Sequence, residues 1–203
     1  MSNFFLMFIE IVYAVLLYPI GLPGHLRQIP SLKNHLGLSL LLSSLSSSIG
    51  VYTLRDYYAS NYVSVILFLQ FVHMLLFYLW GLLSGSVVDT FIAYKHPDRA
   101  GRASQMIAIS LFSFLPWIFF LPSAFSIKFI SEQTGTALPY LLIPLVLGIC
   151  LWSMYIVFTG IKYLYEIPAR DAVFLEIKTL VTLLIFPSLL AVLFVQEVLQ
   201  LIQ

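Results

Sequence analysis

Six side chains in this sequence stand where a polar group is costly. Glu10, Gln70, His73, Asp89, Glu176 and Lys178 all fall inside long apolar runs. In lipid, a charge at mid-membrane costs about 2.5–3.5 kcal/mol on insertion scales, so each ionisable group needs a partner and is a candidate for proton relay, ion coordination or a structural bridge. Asp89 lies six residues from Lys95, and Lys178 eight from Arg170. At 1.5 Å per helical residue both sit roughly 9–12 Å deep from the same end. Equal depth predicts a salt bridge between their helices; a packing clamp or a snorkelling Lys178 is the plainer reading. Glu176 and Lys178 make a second close pair of opposite charges.

His73 follows Gln70 and precedes Phe77, Gly81, Ser84 and Gly85 in steps of three and four, so these residues share one helical face. The plainer role for His73 is a hydrogen bond to a neighbouring helix, and the sharper one a proton relay. No Cys, His or acid stands three or four residues from it to supply a second metal ligand. Cys150 is the one cysteine, which excludes an intramolecular disulfide and a closed cysteine metal site and leaves a small buried hydrophobe. No metal, cofactor or catalytic residue is expected.

Enzyme chemistry finds little here. Leu83-Ser-Gly-Ser86 faintly suggests an intramembrane serine protease, but that needs a histidine base on a later helix, and none follows His96. There is no His-Glu-x-x-His, no phosphate-cradling Gly-Lys-Ser/Thr loop, no aspartate-rich phosphotransfer motif and no pair of aspartates on facing spans.

The elements that must hold these residues follow from composition and run length. Of 203 residues, 61% are hydrophobic and 9% charged, against roughly 25% charged in a soluble domain. The expected fold is all-α, a polytopic transmembrane helical bundle of about five spans with an N-terminal interfacial helix. That helix occupies 1–22, where the 4–20 run carries Glu10 and ends at Pro19, Gly21 and Pro23; no basic segment or cleavage site marks it as a signal peptide. A polar link with His25, Arg27, Lys33 and His35 leads into a five-span membrane domain over 23–203.

The predicted spans are 37–52, 61–93, 104–122, 138–163 and 172–198. In the first, Ser39, Ser43 and Ser47 recur every four residues, a small-residue face for close helix approach or, as the alternative, a hydroxyl-lined path. The second is too long for a ~30 Å hydrocarbon core and must tilt, break or protrude, with Gly81 and Gly85 as places for a bend or close packing. Pro116, Pro144 and Pro187 interrupt the last three, each freeing a carbonyl that a neighbour must satisfy. The 95–102 segment is the most polar loop.

Net charge is +1, so no basic field for nucleic acid exists. Position carries the information instead. With these spans, Arg27, Lys33, Lys95, Arg99, Arg102, Lys162 and Arg170 fall on one side and only Arg55 and Lys128 on the other. That asymmetry predicts a cytoplasmic N-terminus and an opposite C-terminus.

The run Leu151-Trp-Ser-Met-Tyr-Ile-Val-Phe-Thr-Gly-Ile-Lys-Tyr-Leu-Tyr-Glu-Ile-Pro-Ala-Arg-Asp-Ala172 resembles the connection before the last helix of the Yip family, the Ypt/Rab-interacting membrane proteins. The basic loop followed by Phe114-Leu-Pro116, and the N-terminal amphiphilic helix with Pro30-Ser31, are similar to that family too. The resemblance implies five spans, a cytoplasmic N-terminus, no enzymatic activity, and a scaffold or organising role whose molecular activity is unassigned. Eukaryotic members are linked to vesicle traffic and small GTPases through a long N-terminal region. The short segment ahead of Gly37 argues against a GTPase partner and for a prokaryotic inner-membrane member. The expected partners are the lipid bilayer and, through small-residue faces, a second copy or another membrane protein. The competing reading is a small transporter or channel with Asp89, His73, Glu176 and Lys178 as polar waypoints and broken helices around them.

Overall fold

The computed structural model describes residues 2–26, 29, 32–54, 61–135 and 137–202; the side chains of 2, 3, 139 and 186–202 fall outside that description. Every regular element among the described residues is helical: α1 (Ser2–Leu16), α2 (Leu22–Leu26), α3 (Leu32–Thr53), α4 (Tyr62–Lys95), α5 (Ala103–Phe112), α6 (Phe120–Thr134), α7 (Leu138–Leu164) and α8 (Ala169–Ile202), with short 3-10 turns between some of them. Four segments are long and apolar enough to cross a membrane: α3, α4, the α5–α6 unit and α7. The backbone of α8 is helical for 34 residues, while the side chains of Pro187 and of the rest of the predicted fifth span's distal half fall outside the description.

α5 is the hub. Met106, Ala108, Ile109, Ser110, Leu111 and Phe112 are all buried, because glycines on both flanking helices let backbones come close. A Cβ added at Gly85 of α4 would stand 2.5 Å from the Ile107 Cα and N, one at Gly160 of α7 2.5 Å from the Ile109 side chain, and one at Gly81 would strike Leu111. Gly81 and Gly85 therefore serve close packing, and α4 runs unbroken past them.

The third span is longer than the sequence suggests. The predicted span ends at Pro122; in the structure Pro122 occupies the first turn of α6, where a missing N–H costs little, and the helix runs on to Thr134, closed by Gly135 at φ +66°. The real break is the 3-10 turn Leu115–Phe119, with Pro116 in its first turn. α3 likewise starts earlier than predicted. His35, read as part of a polar link, is a fully buried helical residue stacked 4.4 Å from the Phe4 ring.

The N-terminal segment is not one helix over 1–22. It bends by 116° around Pro19, and Ile11, Ala14, Val15, Leu22 and Leu26 from its two arms join the main apolar core. Its other face is exposed at Phe5, Leu6, Ile9, Tyr13 and Leu17. Arg27, Arg55, Pro30 and Ser31 lie outside the described residues.

Candidate functional site

Polar contacts concentrate at one end of the bundle, where α4 ends, α5 begins, and α7 hands over to α8. The first free N–H groups of a helix carry partial positive charge and its last carbonyls partial negative charge. Both are met here. Asp89 Oδ1 accepts the backbone N–H of Arg102, just ahead of α5, at 3.1 Å, and the Tyr165 hydroxyl at 2.7 Å. The Arg102 guanidinium donates to the Leu164 carbonyl, and that of Arg99 to the carbonyls of Tyr165 and Glu166, the last of α7 and its connection. Lys95 Nζ donates to Asp171 Oδ1 in the first turn of α8 at 2.9 Å. Burial, and then its hydrogen bond to Asp89, push the Tyr165 phenol above its ordinary value, so it stays a donor. The bonded Lys95 ammonium holds the Asp171 carboxyl below its usual value.

This arrangement lacks the Asp89–Lys178 bridge that equal depth offered beside the plainer reading of a packing clamp or a snorkelling Lys178. Lys178 is exposed and its ammonium lies 4.3 Å from the centre of the Phe91 ring. The two charges share a depth but not a direction: helical positions two apart, such as Asp89 and Phe91, point about 200° away from each other. The same geometry separates Glu176 from Lys178. Ala172, Leu175, Glu176, Thr179 and Leu183 form the buried stripe of α8, with Lys178 outside it.

Further into the membrane, the α3–α4 seam carries two of the predicted residues. Gln70 Nε2 donates to Ser44 Oγ at 2.7 Å, and His73 Nδ1 lies 2.9 Å from Ser48 Oγ. Each serine hydroxyl has one proton, and Ser44 and Ser48 give theirs to the carbonyls of Leu40 and Ser44. His73 and Ser48 share a hydrogen bond across the seam, its donor set by the imidazole tautomer. The α3 hydroxyls at 44, 47 and 48 are tied back to their own helix rather than aimed into a path.

Ser46 works across helices. Pro122 has no N–H to give the Ile118 carbonyl four residues earlier, and Ser46 Oγ donates to that carbonyl at 2.8 Å while accepting the Leu121 N–H at 3.0 Å. One hydroxyl thus satisfies both backbone groups released by the broken third span. At the far end, Lys128 Nζ donates to the Thr53 carbonyl that ends α3.

Glu176 has different surroundings. It is 7% exposed, and no described side chain forms a hydrogen bond or ion pair with it. Its carboxyl lines a cavity of about 70 Å³ with Trp80, Ser84, Ser113, Ser153 and Thr179. Glu10 is exposed on α1 and borders a second cavity, about 120 Å³, with His25. Among the described residues no group of three or more His, Cys, Asp or Glu could hold a metal ion.

Sequence reasoning found Asp89, Gln70, His73 and Glu176 but missed Arg99, Arg102, Tyr165 and Ser46 as partners. The apolar stripe of α8 was a usable signal for Glu176 facing inward; nothing in the sequence marks which carbonyls the arginines reach. No family model, curated protein or solved structure matches the chain.

Proposed function

We propose that this chain is a non-enzymatic multi-pass membrane protein of the Yip type, prokaryotic and of the inner membrane, which acts as a scaffold through helix packing and its basic loops. The observation that carries the reading is that Gln70, His73, Asp89 and Lys178 are engaged separately, and Glu176 stands apart from all four. His73 and Gln70 are bonded to α3, Asp89 to Tyr165 and Arg102, and Lys178 lies over Phe91. A transporter would string such groups along one wetted route between broken helices. Here Gly81, Gly85 and Gly160 bring α4 and α7 into close contact with α5.

In this reading the basic end is cytoplasmic. Lys95, Arg99, Arg102 and Arg170 gather there, and Lys128 lies at the other end beside Thr53, in line with retention of basic loops inside. The partners are lipid and a second copy or another membrane protein. The test is reconstitution: proteoliposomes given a panel of ions and small solutes leak no faster than protein-free vesicles. Saturable, protein-dependent flux of any of them overturns the proposal.

A further inference from the structure

The cavity beside Glu176 points to a ligand. Three independent observations meet there. Glu176 lines the cavity as a 7% exposed residue with no cationic partner among the described residues. The hydroxyl oxygens of Ser153 and Thr179 are buried and make no hydrogen bond. Ser84 and Ser113 add two hydroxyls, that of Ser113 also donating to the Ser110 carbonyl, and the rest of the lining is Trp80, Phe114, Met154, Val157 and Leu180.

We infer that this cavity is a binding site for a small monovalent alkali cation, for which sodium is the probe, held by the Glu176 carboxylate and the hydroxyl oxygens of Ser84, Ser113, Ser153 and Thr179. Charge selects the valence. One carboxylate neutralises one positive charge, and no second acid lines the cavity, so a divalent ion would leave an unpaired charge in a medium where that is costly. Donor chemistry selects a hard ion, because oxygen ligands suit alkali and alkaline-earth cations over transition metals. A cavity of about 70 Å³ is several times the roughly 10–15 Å³ that one water needs, room for an ion with water beside it. The location gives the ion a role that goes beyond packing alone. The lining residues come from α4, α7, α8 and the turn that follows α5, so a bound ion ties three helices and that turn together and stabilises the bundle in proportion to its occupancy.

The experiment uses the full-length protein in detergent at mildly alkaline pH. Equilibrium binding of radioactive sodium is measured beside thermal unfolding in sodium chloride against choline chloride at equal ionic strength. The expected result is saturable binding near one ion per chain and an unfolding midpoint that rises with sodium but not with choline. Glu176→Gln abolishes both effects, while Glu10→Gln, outside the cavity, keeps them. Thr179→Val, which removes one hydroxyl at nearly constant volume, weakens binding about tenfold or more and covers the case in which Glu176→Gln does not fold. Absence of saturable sodium binding to the wild-type protein overturns the inference, as does binding unchanged in Thr179→Val or Glu176→Gln. Flux of sodium through proteoliposomes would instead overturn the scaffold reading and leave the site standing.

Discussion

Replacing Ser46 by alanine removes a single oxygen and strands two backbone groups. The Ile118 carbonyl loses the donor that stands in for the missing N–H of Pro122, and the Leu121 N–H loses its acceptor. Ser46 is 6% exposed, so water does not replace it. A buried backbone group left unpaired costs about 1–3 kcal/mol, whereas hydrogen bonds between membrane helices average only ~0.6 kcal/mol each because the unfolded state also finds partners. Weighing the two, Ser46→Ala loses about 2 kcal/mol, and a chain of this size then melts about 4–8 °C lower. The matched comparison is Ser47→Ala: Ser47 is equally buried, but its hydroxyl bonds only the Ser43 carbonyl of its own helix, which its backbone still serves, so the loss is under ~0.5 kcal/mol. Thermal unfolding in detergent, read by circular dichroism, separates them. In a Pro122→Ala background the restored N–H gives Ile118 another donor, and the cost of Ser46→Ala shrinks. Equal midpoints for Ser46→Ala and Ser47→Ala would refute the reasoning.

Gly85→Ala places a methyl 2.5 Å from the Ile107 backbone and forces α4 and α5 apart at a cost of about 1–3 kcal/mol; Gly148→Ala, with nothing within 4 Å, is neutral or stabilising in the same melt. Asp89→Asn lowers stability by about 1–2 kcal/mol, through the lost charge at the α5 N-terminus and a weaker acceptor for Tyr165, and its effect adds to that of Lys178→Met; a measured coupling above about 0.5 kcal/mol would restore the direct bridge. Asp171 has its carboxyl lowered by Lys95, so the pair's contribution is present above the ordinary carboxylate range, from about pH 4, and is lost as pH falls through the lower folded value. Lys95→Met removes that part of the acid sensitivity, seen as a flatter midpoint-against-pH curve below neutrality.

Periodicity within one helix was legible in the sequence. The Gln70, His73, Phe77, Gly81, Ser84 and Gly85 face of α4 packs inward, and Ser39, Ser43 and Ser47 of α3 are all buried. Run length likewise marked the apolar helices. What the sequence withholds is azimuth between helices. Depth counting placed Asp89 level with Lys178 but could not show that one faces α5 and α7 while the other lies over Phe91. The arginine contacts were hidden for a related reason: Arg99 and Arg102 bond to backbone carbonyls, which every residue carries and no letter distinguishes. The predicted end of the third span at Pro122 falls short because one residue type both ends and begins helices, and only the Ser46 hydroxyl opposite shows which it does.

The claim that the interior polar residues serve packing rather than passage is tested most directly by cysteine accessibility. In a Cys150→Ser background, single Ser44→Cys and Ser48→Cys variants in proteoliposomes are treated with a membrane-impermeant thiosulfonate from both faces, with Asp98→Cys in the polar loop as the reactive standard. The account predicts no labelling at 44 or 48 until the protein is denatured. Labelling of either, from either face, at a rate approaching that of position 98 would contradict it.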